Sequence, residues 1–208
     1  PGEKNDSTNN KTIKQLISCG MTIEKEDGRT YDRFRDRVMF PIRNVKGQVI
    51  AFGGRVLGDE KPKYLNSPES EVYHKSDVLY GLFQSKKTIR NEDNCYLVEG
   101  YTDVISMHQS GIENVVASSG TALTADQIKL IKRYTNNITI LYDGDPAGIK
   151  ASFRGIDLIL EEGLNVKVIL FPDGDDPDSY SKKVSNDELK EYIENNSKDF
   201  IEFKAGIL

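Results

Sequence analysis

The chain has 208 residues, 37% of them hydrophobic, and a net charge of −5, enough for one large domain or a domain with a smaller lobe. No apolar run approaches the roughly 20 residues that a membrane-spanning helix needs, and no signal peptide is visible. The two cysteines, Cys19 and Cys95, exclude a four-cysteine zinc site and a disulfide framework, so a reducing, cytoplasmic setting is expected. Charge is uneven along the chain. Residues 1–90 carry 17 Lys+Arg against 12 Asp+Glu, and residues 91–208 carry 11 against 21. A basic part joined to an acidic part suits a protein that grips phosphates with one and metals with the other, although most such charges are ordinary solvated surface. A chain opening on Pro1 is expected to be a piece of a longer protein.

Residues 1–11 are polar and read as a disordered or cut edge. Thr12 to Cys19 form a short helix with Ile13, Leu16 and Ile17 inward, ended by Gly20. A strand follows and runs into a turn at Glu26-Asp27-Gly28. Arginines then recur at 33, 35 and 37, a spacing that puts them on one face of an extended chain. Val38, Phe40 and Ile42 continue the period of two, Asn44–Gln48 turns, and Val49–Val56 returns, which predicts an antiparallel hairpin. Gly53-Gly54 marks a bulge or tight packing on spacing alone; the functional reading is backbone close to a ligand, with Arg55 reaching a phosphate. Residues 58–80 read as a loop. Lys61, Lys63 and Lys75 with Tyr64 and Tyr73 mix cations and rings in the way that single-strand binders do, but loops are often Lys-rich for solubility. Residues 77–90 read as a helix.

From Cys95 the pattern alternates. Strands at 95–98, 113–117, 138–142 and 166–171 are separated by helices at 102–109, 124–134 and 146–162. This order predicts a parallel sheet with right-handed crossovers. A loop at 172–178 precedes a helix at 186–195, opened by the capping box of Ser185 and Glu188, and a last short helix at 198–205.

Three acidic clusters each follow one of these strands: Glu99 with Asp103, Asp143 with Asp145, and Asp175, Asp176 and Asp178. A lone Asp before a helix is more often a cap or turn former. Three clusters at the carboxyl ends of parallel strands gather at one sheet edge, where such sheets place their sites. Their mutual repulsion, on the order of 1 kcal/mol or more per contacting pair, is removed by a divalent cation, and all-oxygen ligands suit magnesium or manganese.

Val98-Glu99-Gly100-Tyr101-Thr102-Asp103 with Tyr142-Asp143-Gly144-Asp145 resembles the toprim pattern of an EG-containing first motif and a later DxD. Arg33–Ile42, Phe52-Gly53-Gly54-Arg55 and Pro62–Glu69 resemble the polymerase domain of bacterial DnaG-type primases. Asp143–Gly148 and Pro172–Asp178 continue the match, over about residues 12–208. The resemblance implies an α/β (α+β) fold: a toprim parallel sheet flanked by helices at 93–180, a smaller mixed, hairpin-containing lobe at 12–92, and a carboxyl-terminal helical segment at 181–208. It implies Glu99, Asp143 and Asp145 as catalytic ligands of one divalent metal, with Asp103, Asp176 and Asp178 around further metals. It also implies Arg55, Lys63, Tyr64, Asn66 and Lys75 as nucleotide or template contacts. Two or more Mg2+ or Mn2+ ions per site are expected and no zinc, since the family's amino-terminal zinc ribbon is not matched here.

The activity implied is synthesis of short RNA primers on single-stranded DNA by two-metal nucleotidyl transfer. The implied partners are template, NTPs and RNA primer, for a monomer at the replication fork in the cytoplasm. The replicative helicase is expected to bind only through a carboxyl-terminal domain that is not matched. Two other classes stay open: phosphodiester cleavage of the toprim nuclease or topoisomerase kind, and a non-catalytic nucleotide- or DNA-binding module.

Overall fold

The computed structural model describes residues 3–143 and 146–206, with side chains for 10–143 and 153–206. It divides into two compact units, Pro1–Lys75 and Ser76–Leu208. The first opens with helix α1 (Glu3–Ser18), which corrects the disordered edge expected for residues 1–11. Once the turn around Ile13, Leu16 and Ile17 has formed, each added polar residue needs only its own dihedrals fixed for one more hydrogen bond. The helix stops before Gly20, where φ is +73° and an added Cβ would lie 2.3 Å from Pro68 Cδ. Only glycine fits both constraints.

Strands β1 (Thr22–Glu24) and β2 (Thr30–Asp32) pair antiparallel. Residues 33–36 then turn, with Asp36 at φ 53°, so Arg33 and Arg35 do not share a strand face with Arg37 as the spacing predicts. Strands β3 (Arg37–Arg43), β4 (Val49–Val56) and β5 (Tyr64–Asn66) form a second antiparallel sheet in that order. The sequence reading takes β5 for loop because prolines bracket it; its ladder to Gly53–Arg55 overrides that composition. Arg37 fastens the connection, donating from Nη2 to Pro62 O at 2.9 Å and from Nη1 to Lys63 O at 3.3 Å. A Cβ on Gly54 would lie 2.8 Å from Phe34 Cδ1, so close packing accounts for this glycine.

The second unit starts at Ser76, ahead of the boundary expected at 92, because residues 76–91 are tied to the sheet that follows. Helix α2 (Leu82–Asn91) begins after Gly81, held at φ +85°. Its buried Ser85 donates to Val115 O at 2.8 Å. Then come β6 (Cys95–Val98), α3 (Tyr101–Gln109), β7 (Val115–Ala117), α4 (Ala125–Lys132) and β8 (Asn137–Tyr142). After these follow α5 (Pro146–Glu161), β9 (Asn165–Leu170), α6 (Pro177–Ser181), α7 (Asn186–Asn196), β10 (Lys198–Asp199) and α8 (Phe200–Ala205). The strand order is β10-β9-β8-β6-β7, parallel except for β10.

Period-two alternation decides which side chains face which layer. Val98, Val115, Ala117, Leu141 and Ile169 pack with Val104 and Met107 of α3 and Leu189 and Ile193 of α7. The segment after 181 therefore belongs to this core rather than standing apart from it. The central strands are apolar on both faces, as buried parallel strands must be. Each buried Ile or Leu contributes about 1.5–3 kcal/mol, which fixes the strand ends from which the acidic residues project.

Candidate active site

In the sheet the chain lays β7 on one side of β6 and then β8 on the other. That reversal opens a crevice beyond the carboxyl ends of β6 and β8, where open α/β sheets bind ligands. Leu97 pairs with Ile140 in the ladder, so Glu99, two residues on, comes alongside Tyr142, and Asp143 is the next residue of that strand end. Burial and then the charge of Glu99 raise the pKa of the Tyr142 hydroxyl. Glu99 is exposed and Asp143 half-buried. A cavity of about 700 Å³ adjoins Glu99, lined by Leu97, Leu123, Ile140, Tyr142 and Arg154 among others.

Asp103 lies in the first turn of α3 and is 6% exposed. Its Oδ2 accepts the Gly100 N–H at 2.8 Å, so it caps the helix as well as facing the crevice. Burial pushes its carboxyl up to about 6. The Gly100 N–H opposes that shift, and the charges of Asp176, Asp143 and Asp178 add to it. Three of the predicted acids therefore act on the fourth, Asp103, and like charges gathered in this way are stabilised by a shared cation.

Asp176 is the N-cap of α6 and accepts the Ser179 N–H at 2.6 Å; the capping role considered from sequence is real here and coexists with its place beside Asp103. Asp178 is held by Ser106 Oγ, which donates to Oδ1, and by Lys182 Nζ, 2.7 Å from Oδ2. Asp175 is paired with Lys183 at 2.7 Å. Asp145 lies outside the described residues. Among those described, no three His, Cys, Asp or Glu residues stand close enough to hold one metal ion. The donor set is nonetheless all carboxylate oxygen, which fits a hard divalent ion.

Sequence reading missed Ser106 and Lys182. Both carried a signal: Ser106 is three residues after Asp103 on a helix, and Lys182 is four after Asp178. The second was hidden because 172–178 reads as loop, while Pro177 in fact opens α6.

In the first unit the sheet brings together Arg55, Tyr64 and Asn66. Arg55 pairs with Tyr64 across β4 and β5, its guanidinium carbon 5.5 Å from the ring centroid, and Asn66 pairs with Gly53. Lys63 is exposed just before β5. Lys75 stands apart from this sheet, in a 3-10 turn whose first N–H donates to Glu69 Oε1 at 3.1 Å.

A toprim-like family matches residues 96–181, and the DNA primase catalytic core N-terminal domain family matches residues 3–86. The primase of Halalkalibacterium halodurans is 48% identical over 193 residues, 92% of this chain and 32% of that protein. The Escherichia coli primase catalytic core superposes with a TM-score of 0.86 at 42% identity, over 95% of this chain and 64% of the other. A DnaG primase catalytic domain bound to ssDNA gives a TM-score of 0.83 at 42% identity, over 91% and 60%. The fold and the acidic crevice define a toprim-class, divalent-metal-using domain. The chain belongs to the DnaG-type DNA primase family, as part of its catalytic core. It spans about a third of the length of the curated relatives it matches. Among the described residues, no helix is long and apolar enough to cross a membrane.

Proposed function

We propose that this chain carries the nucleotidyl-transfer site of a DNA primase, which joins ribonucleotides into a short RNA on a single-stranded DNA template. The observation that carries the reading is the set Glu99, Asp143, Asp103, Asp176 and Asp178 around one switch-point crevice, in a chain whose first half matches the primase catalytic core N-terminal domain and whose second half matches a toprim-like family. Glu99 and Asp143, with Asp145, would hold one Mg2+ or Mn2+, and Asp103, Asp176 and Asp178 would lie around further ions, closing on them only when they bind. Such ions, when bound, activate the attacking 3′ hydroxyl and offset charge on the leaving pyrophosphate.

The protein's own side chains do the rest. Arg55 offers a bidentate guanidinium to a triphosphate, and Lys63 and Lys75 offer point charges. Tyr64 and Asn66 share the Arg55 face and supply a ring and an amide for base or sugar. The basic first half tracks the template backbone. The setting is cytoplasmic and the chain acts as a monomer, with the helicase meeting another part of the protein.

Incubation with single-stranded template, magnesium or manganese and labelled NTPs tests this reading. New short RNA is the expected product. Degraded template would replace it with a nuclease, and binding without product with a non-catalytic module. Glu99→Gln and Asp143→Asn are expected to lower synthesis by at least about a hundredfold, on the scale of losing a catalytic metal ligand or other key polar group, with unfolding midpoints unchanged. Retained synthesis in both variants would discard the site.

A further inference from the structure

Asp178 faces the crevice with a cation already on it. Lys182 Nζ lies 2.7 Å from Asp178 Oδ2, and the carboxylate is only 14% exposed while the lysine is 67% exposed. Its other oxygen is taken by Ser106 Oγ, one turn beyond Asp103 on α3. A carboxylate so shielded and so close to other acids is stabilised by positive charge nearby. The ammonium supplies it from one helical turn away, on a flexible stem with solvent behind it.

We propose that Lys182 is a placeholder for the divalent ion: its ammonium neutralises Asp178 in the metal-free protein and must leave Oδ2 before that oxygen can ligate metal. The inference rests on the assignment of Asp178 to the metal site. Metal entry then exchanges one ion pair for another, with the lysine staying protonated and moving into solvent. The acids can fold together without metal, and the lysine sets how much free divalent ion is needed to load the site. Lys183 provides the internal contrast. It pairs at the same 2.7 Å with Asp175, but Asp175 is not among the acids assigned to the metal site, so its lysine guards no assigned ligand.

The test is manganese binding to the whole chain, read from loss of the free-ion EPR signal at fixed pH and salt, with thermal midpoints recorded alongside. Lys182→Met is expected to bind about two- to fivefold more tightly than wild type, the range that a partly exposed ion pair supports. Lys182→Arg is expected to keep wild-type affinity or weaken it. Lys183→Met is the control for general charge and is expected to change affinity less than twofold. In an Asp178→Asn background, Lys182→Met should have no further effect. Equal or weaker binding by Lys182→Met, or an equal gain in Lys183→Met, overturns the placeholder. If Asp178→Asn alone leaves affinity unchanged, Asp178 is not a ligand, and the site assignment fails before the lysine is at issue.

Discussion

Asp103 does two jobs that pull its acidity in opposite directions. As the acceptor of the Gly100 N–H it favours the ionised form, and as a buried neighbour of Asp143, Asp176 and Asp178 it favours the protonated one. The second prevails, so the folded protein holds this proton up to about pH 6, whereas the unfolded chain releases it near 3.8. A raised acid stabilises the fold below its unfolded value and loses that contribution as pH rises through the folded one. In EDTA, wild type is therefore expected to lose stability relative to Asp103→Asn between pH 4 and pH 7, by on the order of 2 kcal/mol. Urea midpoints of the two proteins at both pH values would show it, and parallel curves would refute it. Sequence spacing brought these acids to one sheet edge but could not say which were caps. Asp103 and Asp176 are both caps and crevice acids, because a strand-to-helix turn presents the first helical turn to the site it borders.

At the scale of elements, two polar side chains fasten backbone of connecting segments. Gln127 is fully buried on α4, donates to Val78 O at 2.9 Å and takes the Thr124 N–H at 3.3 Å. It fastens the segment leading into α2 to helix α4. Gln127→Leu leaves Val78 O without its donor and is expected to cost about 1–3 kcal/mol in denaturant titrations. Arg37 does the same for residues 62–63, and Arg37→Ala is expected to destabilise the first unit by about 2 kcal/mol while leaving the second unit's metal binding unchanged. An equal effect on metal affinity would contradict the division into units.

The alternating strands and helices after Cys95 were legible because apolar periodicity and caps such as Ser185 agree there. Strand β5 and helix α6 were not legible. Each is short, bounded by proline, and held by other elements rather than by its own pattern: the β4 ladder for one, the α3 and α7 packing for the other. The family resemblance is what favours the proposed nucleotide or template roles of Arg55, Lys63 and Lys75; residue pattern alone offered them only beside a packing reading for Gly53-Gly54 and a solubility reading for the lysines.

Across the whole chain, positive charge concentrates before residue 90 and negative charge after it. Template affinity should therefore fall steeply with salt despite the net charge of −5. With about three phosphates neutralised, the slope of log affinity against log salt is expected near −2. Arg55→Ala, at a residue assigned to the triphosphate, should leave that slope unchanged. Fluorescence anisotropy of a labelled oligonucleotide over a salt series measures both, and a slope that Arg55→Ala flattens would move that residue from the triphosphate to the template.

Glu99 and Asp143 descend from hydrogen-bonded neighbours, while the polypeptide between them takes a long excursion through α3, β7 and α4. Their spacing is thus a property of strand pairing and not of the intervening sequence. Residues inserted into the turns of that excursion would lengthen the path without altering the reach between the two acids. The same acidic pair could in this way persist while the surface around it is rebuilt.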